Sequence, residues 1–532
     1  MPSNTTSSRN YTLALIVIIA LAVFFRFWQF TSIPAGLYQD EAMNGADALA
    51  SFKTGDYKVF YTNNNGREGM IMWLDALAIK LFDTEPWVLR LFPAIAGVLA
   101  VLGLYFLAKK LFGVEIALAS SFFMAVSFWA VNFSRIGFRA GLMVPVLIGS
   151  FYFLIRGINP TSDVKGSRHR MSDFVIAGIL FGLGFYTYIS FRFAPVLILV
   201  YFLPYLIKYS NKKLWSGILL FAITGFIIAL PIGLYFLNNP GDFFGRSEQV
   251  SIFSADHPLK SIAFSVASTF GMFNIVGDFN WRHNYAGLPE FFWPVGILFL
   301  LGIYLSIKKF SFSEKFILAW FFIFLLPNVL TTEGNPHALR ALGAMPAAMI
   351  FAGIGLIWLY EKIQKYFDEK IKNPALGKYK NQLLRLKKEF FLFLIIFLIF
   401  IAAYDFNKYF NLWAFNPNVS SAFSQSQVKI ADYLNNLPKE TEKYAIWDAS
   451  DRATSNGLPV SAQTVYFLTS EKTKINYLKS DELDKINVSE KNMVISPIYF
   501  DVDLLHNLNN RFLNSKIEII GLNTGAVIIP KK

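Results

Sequence analysis

No cysteine occurs anywhere in the 532 residues. Disulfides, thiol nucleophiles and thiolate metal sites are therefore excluded. Charge is also scarce: Asp, Glu, Lys and Arg make up 16% of the chain, against roughly 25% in soluble domains. Histidine is rarer still, with five residues. The composition is instead apolar, 54% hydrophobic with 56 Phe and a mean hydropathy of +0.42. These values place the chain in the membrane class. The net charge is +13. Its Lys and Arg fall mainly in short loops between apolar runs, which is how topology signals are distributed. That pattern argues against a nucleic-acid partner.

The apolar runs predict eleven spans, at about 11–30, 87–108, 116–133, 140–156, 172–190, 193–208, 214–237, 291–307, 314–330, 340–360 and 390–406. Each approaches the length needed to cross a bilayer. The run Tyr11 to Phe30 is followed by Ile33-Pro34-Ala35-Gly36 without a small-residue cleavage site, so it reads as a retained helix. With the N-terminus cytoplasmic, the inner loops carry Lys109-Lys110, then Arg156, Lys165, Arg168 and Arg170, then Lys208, Lys212 and Lys213, then Lys308-Lys309, and finally the basic run Lys362 to Lys388. This satisfies the positive-inside rule. The expected location is the plasma or inner membrane, with the bilayer itself as a partner.

Residues 1–406 thus form a transmembrane domain whose first outer loop is 31–86. Residues 407–532 read as a soluble extracytoplasmic tail. In that tail, helices near 420–436, 461–469, 480–485 and 501–511 alternate with strands near 443–447, 473–478 and 492–496, and two strands follow at 515–521 and 525–530. The alternation predicts a small α/β domain. Within the first outer loop, Ala42–Phe52 and Met70–Phe82 have helical patterning.

The ionisable residues with chemical potential gather on the outer side. Asp40-Glu41 lies about ten residues past the first run. A carboxylate there can take a proton from an acceptor hydroxyl, and two acids at a helix start also favour its dipole. Gly66-Arg67-Glu68-Gly69 is a polar turn, with Arg67 and Glu68 in reach of a headgroup. Ser134-Arg135-Ile136-Gly137-Phe138-Arg139 puts Arg135 and Arg139 in one tight connection, suited to gripping a phosphate or to anchoring at the interface. Tyr188 and Arg192 sit at the same level. In Thr332-Glu333-Gly334-Asn335-Pro336-His337-Ala338-Leu339-Arg340, His337 and Arg340 would share a face if the segment were helical. No metal signature stands out, and a divalent cation at Asp40 and Glu41 is the one cofactor left open.

These segments carry a resemblance. Asp40-Glu41 after the first span, Val88-Leu89-Arg90-Leu91-Phe92-Pro93-Ala94, Ser134 to Arg139, and Pro336-His337-Ala338-Leu339-Arg340 look like motifs of bacterial members of glycosyltransferase family 39. The chain thereby resembles the GT-C superfamily, which includes protein O-mannosyltransferases and the aminoarabinose transferases that modify lipid A. The resemblance covers about residues 11–360. It implies a helical GT-C membrane fold and an inverting transfer of a sugar from a polyprenyl-phosphate donor to the hydroxyl of a lipid, glycan or protein acceptor. It makes Asp40 the base with Glu41 in support. Arg135, Arg139, His337 and Arg340 would touch the phosphate. The alternative reading is a multi-pass transporter or lipid flippase, although no internal repeat appears and the ionisable residues lie at the outer ends rather than at mid-membrane.

Overall fold

The computed structural model describes residues 4–158, 167–208, 212–487, 490–512, 514–521 and 523–531. Lys165 of the second basic loop lies outside them. The chain forms two compact units: 1–28, 93–135 and 139–413 in one, and 29–92, 136–138 and 414–532 in the other.

The first unit is a helical bundle. Among the described residues, seven helices are long and apolar enough to cross a membrane: Arg9–Phe27, Val88–Phe112, Ala140–Ile158, Lys212–Asn238, Phe312–Val329, Leu342–Lys372 and Pro374–Trp413. An eighth is formed if Val114–Val126 and Phe128–Arg135, bent by 56° at Ser127, count as one. The remaining three of the eleven expected spans are helical but shorter. Met171–Gly184 stops at glycine. The stretch from Ile189 to Lys208 carries Pro195 and Pro204 and is divided into 3-10, α and π turns, because proline removes a donor and crowds the preceding turn. Trp293–Lys309 begins with a proline in its first turn and ends where Phe310 turns left-handed.

Bundle packing rests on small residues and on arginines that answer helix ends. Gly302 faces the backbone carbonyl of Phe351, and Gly355 faces that of Leu298, so a Cβ at either position would collide with the neighbouring helix. Small residues of this kind let membrane helices approach closely. The break at Ser127 leaves the last carbonyls of Val114–Val126 without helical partners. The buried Arg26 fills that gap, donating to Ala125 O at 2.7 Å and Met124 O at 3.0 Å.

The second unit joins residues 29–92 to the C-terminal tail. Helices Gln39–Thr54 and Met70–Phe82 appear where their patterning predicts. Between them Phe60–Tyr61 and Arg67–Glu68 pair as a two-stranded hairpin. Asn64, Asn65 and Gly66 turn it at φ of 53°, 63° and 82°, and Asn and Gly adopt such left-handed angles most readily. The tail folds into a five-stranded sheet in the order Asn476–Lys479, Glu442–Trp447, Met493–Pro497, Thr524–Ile529, Lys516–Gly521. The first three are parallel, and the last two are antiparallel additions. Alternation sends Ala445 and Trp447 to one face with Ile430, Leu434 and Val465, and Ile446 and Ile495 to the other with Leu505 and Leu508. Each face is covered by helices, so the strands read as near-continuous apolar runs. Thr464 donates to Leu37 O at 3.1 Å, and Phe467 packs on Gly45, which seats helix Gln463–Thr469 against helix Gln39–Thr54.

Candidate active site

The adjacent acids Asp40 and Glu41 have separate fates. Helix Gln39–Thr54 starts at Gln39, so Asp40 and Glu41 fall in its first turn. Helical geometry points neighbouring side chains about 100° apart. Glu41 turns inward and is fully buried. One of its oxygens accepts the Tyr38 N–H at 3.1 Å, reaching back over the helix start. The other accepts the Gly137 N–H at 2.6 Å. The Arg90 guanidinium bonds both, at 2.9 and 3.1 Å. Arg90 is itself buried and donates to Pro34 O at 2.6 Å and Gly36 O at 2.8 Å. Asp40, in contrast, is half-buried and accepts from Asn64 Nδ2 at 2.7 Å. The pair therefore divides into an anchored carboxylate and an accessible one.

Arg67 and Glu68 are buried in the hairpin beside this helix. Arg67 donates to Asn44 Oδ1 at 2.8 Å and to Asn63 O at 3.2 Å, and it is ion-paired with Asp47. Its contacts brace the hairpin against the helix that carries Asp40.

Asp75, on helix Met70–Phe82, is the least expected group in this unit. It is fully buried, and neither carboxylate oxygen accepts a hydrogen bond among the described residues. Burial, and then the negative Glu41, push its pKa well above the ordinary carboxylate range. A carboxyl with a raised folded-state pKa stabilises the fold most below the unfolded-state value. That contribution is lost as pH rises through the folded value. Asp75→Leu is thus expected to raise the melting temperature, with the gain larger at pH 8 than at pH 5. Melting curves of the two proteins at both pH values check this, and an equal or smaller gain at pH 8 rejects it.

The second group of residues belongs to the helical unit. Arg135 is buried and donates to Phe25 O at 3.1 Å and Trp28 O at 2.8 Å, with its guanidinium 5.1 Å above the Phe410 ring. Those carbonyls end the first helix, so Arg135 is engaged by the same kind of orphan acceptors that hold Arg26. Arg139 is half-buried and lies 5.5 Å over the Tyr188 ring, which brings these two sites together. Arg192 stacks on Phe243 at 4.1 Å and donates to its carbonyl at 2.6 Å.

The segment 331–340 is a chain of turns rather than a helix. Proline at 336 disfavours helical backbone at Asn335. His337 and Arg340 consequently part company. Arg340 reaches back to Thr331 Oγ1 at 2.8 Å and to Glu333 Oε2 at 3.2 Å. His337 instead meets Asp278, with Nδ1 3.9 Å from Oδ2. His283 Nδ1 lies 2.8 Å from that same oxygen. Asp278, His283 and His337 offer ligand atoms within 4.8 Å of one another, a set able to hold a metal ion. Asp278 reads in the sequence only as one of several outer acids, and His283 stands out only as one of five histidines, in the polar stretch Asn280-Trp281-Arg282-His283. Glu41, expected as a possible cation ligand, is engaged by Arg90, Tyr38 and Gly137 instead.

Residues 69–235 match the family model of the dolichyl-phosphate-mannose-protein mannosyltransferases. No curated protein matches the chain in sequence. The structure is similar to that of ArnT from Cupriavidus metallidurans bound to undecaprenyl phosphate, with a TM-score of 0.55 and 15% identity over 97% of both chains. The apo state of that protein gives 0.55 and 14% over 98% of both chains. The chain has the GT-C fold. The archaeal oligosaccharyltransferase AglB from Archaeoglobus fulgidus, in complex with an inhibitory peptide and a dolichol-phosphate, is similar at a TM-score of 0.51 and 15% identity, over 92% of this chain and 70% of that one. A GT-C fold with seven or eight helices of spanning length among the described residues makes the chain a multi-pass membrane protein.

Proposed function

We propose that the chain is an integral-membrane glycosyltransferase. It moves a sugar from a polyprenyl-phosphate donor to an acceptor hydroxyl, with inversion, at the extracytoplasmic face of the inner membrane. The observation that carries this reading is the divided acid pair on a GT-C frame. Glu41 is locked in place, while its neighbour Asp40 is left half-accessible, accepting from Asn64 Nδ2. The lipid phosphates in the similar ArnT and AglB structures support a polyprenyl-phosphate donor, as does the mannosyltransferase match over residues 69–235.

In this mechanism Asp40 removes the acceptor proton as the hydroxyl attacks the anomeric carbon, and the lipid phosphate leaves from the opposite face. The negative charge that develops on the phosphate calls for cationic partners. Arg139, Arg192 and Arg340 are the proposed ones, with His337 proposed as a hydrogen-bond donor to the phosphate beside them. Arg135, Arg67 and Glu68 act in the same scheme by holding their loops, and Tyr188 by holding Arg139. The N-terminus and the basic loops lie in the cytoplasm, and the α/β tail lies outside.

The test uses the full chain in lipid vesicles with radiolabelled polyprenyl-phosphate sugars, alongside mass spectrometry of envelope glycans and glycoproteins from cells with and without the gene. Transfer of label, and one sugar addition missing from the deletion strain, are the expected results. Identical glycan profiles, together with donor-independent uptake of label into vesicles, would point to transport instead.

A further inference from the structure

The geometry points to a divalent-cation site of the zinc class formed by Asp278, His283 and His337. Two imidazole nitrogens and one carboxylate oxygen are the ligand set that borderline-soft ions such as Zn²⁺ select. Two ligand atoms each about 2.1 Å from one tetrahedral ion stand roughly 3.4 Å apart. The distances from Asp278 Oδ2, 2.8 Å to His283 Nδ1 and 3.9 Å to His337 Nδ1, straddle that separation. All three ligand atoms lie within 4.8 Å of one another, so rotation of the two imidazoles would seat an ion between them.

The surroundings hold the ligands in that arrangement. Asp278 Oδ1 accepts the Asn280 N–H at 2.7 Å and Oδ2 accepts the Ala338 N–H at 2.8 Å, so the carboxylate plane is set from both sides. Asn132 Nδ2 donates to Arg282 O at 2.8 Å and His283 O at 3.0 Å, which pins the loop carrying the first histidine. The His283 ring lies between Phe133 at 5.6 Å and His337 at 4.7 Å. Asp278 and His283 are buried and His337 is partly open. Partners of this kind orient metal ligands and are as much part of a site as the ligands themselves. Three protein ligands leave one position of a tetrahedral ion for water or an anionic oxygen. The ion would also join the loops around 278 and 337, which are far apart in sequence. This assignment does not depend on the transfer reaction.

The test takes the full chain with a streptavidin-binding tag, avoiding added histidines. It is incubated with Zn²⁺, freed of excess metal, and analysed by inductively coupled plasma mass spectrometry. About one Zn²⁺ per chain is expected, as for a single three-ligand site. His283→Ala and His337→Ala should each reduce it at least tenfold, while His257→Ala, at a separate histidine, should leave it unchanged. In case the alanine variants fold poorly, Co²⁺ loaded into the native protein should show the visible bands of nitrogen-ligated cobalt. Native protein without bound zinc, retention of zinc in both histidine variants, or a cobalt spectrum of the hydrated ion would each overturn the site.

Discussion

Asp40→Asn is expected to lower sugar transfer by about 10²- to 10⁴-fold, the usual weight of a positioned general base, while leaving the melting temperature within a degree or two of the native protein. The second half of that expectation comes from the surroundings. Asp40 is half-buried and accepts from Asn64 Nδ2 at 2.7 Å. An asparagine oxygen at the same place can accept that bond. What is lost for stability is the attraction between a carboxylate and the helix N-terminus, about 0.3–1 kcal/mol at an exposed site. The rival role for Asp40, favouring the start of helix Gln39–Thr54, predicts the same small stability change with activity kept. Measuring kcat, KM and melting together separates the two. A loss confined to kcat supports the base. A fall explained wholly by reduced folded protein, or native turnover, removes Asp40 from the chemistry.

The fold was legible in the sequence to the extent that local pattern determined it. Apolar runs and their basic flanks located a helix at every expected span, and the period-2 and period-3.6 segments of the tail became the strands and helices at 442–529. What local pattern misjudged was length. Pro195 and Pro204 lie inside an apolar run whose composition passes for a span, yet they break its backbone geometry. Contacts between distant segments were not legible at all. Nothing near Glu41 announces that its counter-ion is Arg90, 49 residues later, or that its other partner is the N–H of Gly137. Arg135 shows a related limit. Arg135 looks like an anion ligand because it is cationic and at a span end, but the carbonyls of Phe25 and Trp28 are acceptors that no sequence window displays. The same limit hid His283, whose meaning depends on Asp278 and His337 converging on it.

Removing one partner of the Glu41–Arg90 pair should destabilise the second unit, residues 29–92 with the tail, rather than merely slow the proposed transfer. Both side chains are at most 2% exposed. Arg90→Leu would leave the buried Glu41 without its counter-ion, with the N–H groups of Tyr38 and Gly137 to answer it, and would free the carbonyls of Pro34 and Gly36. Breaking a buried ion pair from one side costs about 3–5 kcal/mol, a large share of the 5–15 kcal/mol that holds a typical domain together. Glu41→Leu should cost a similar amount, since it strands a guanidinium. The double variant Glu41→Leu/Arg90→Leu removes both charges and should be less damaged than the sum of the singles, because paired apolar replacements avoid the uncompensated charge. Thermal unfolding and limited proteolysis of the detergent-purified proteins measure all three. The contrast with Asp40 is the discriminating result: Glu41 variants should lose activity in step with folded protein, and Asp40→Asn should lose it without unfolding. Native melting behaviour in Arg90→Leu would show that the pair does not hold this unit, and the division of the two acids into anchor and base would lose its physical ground.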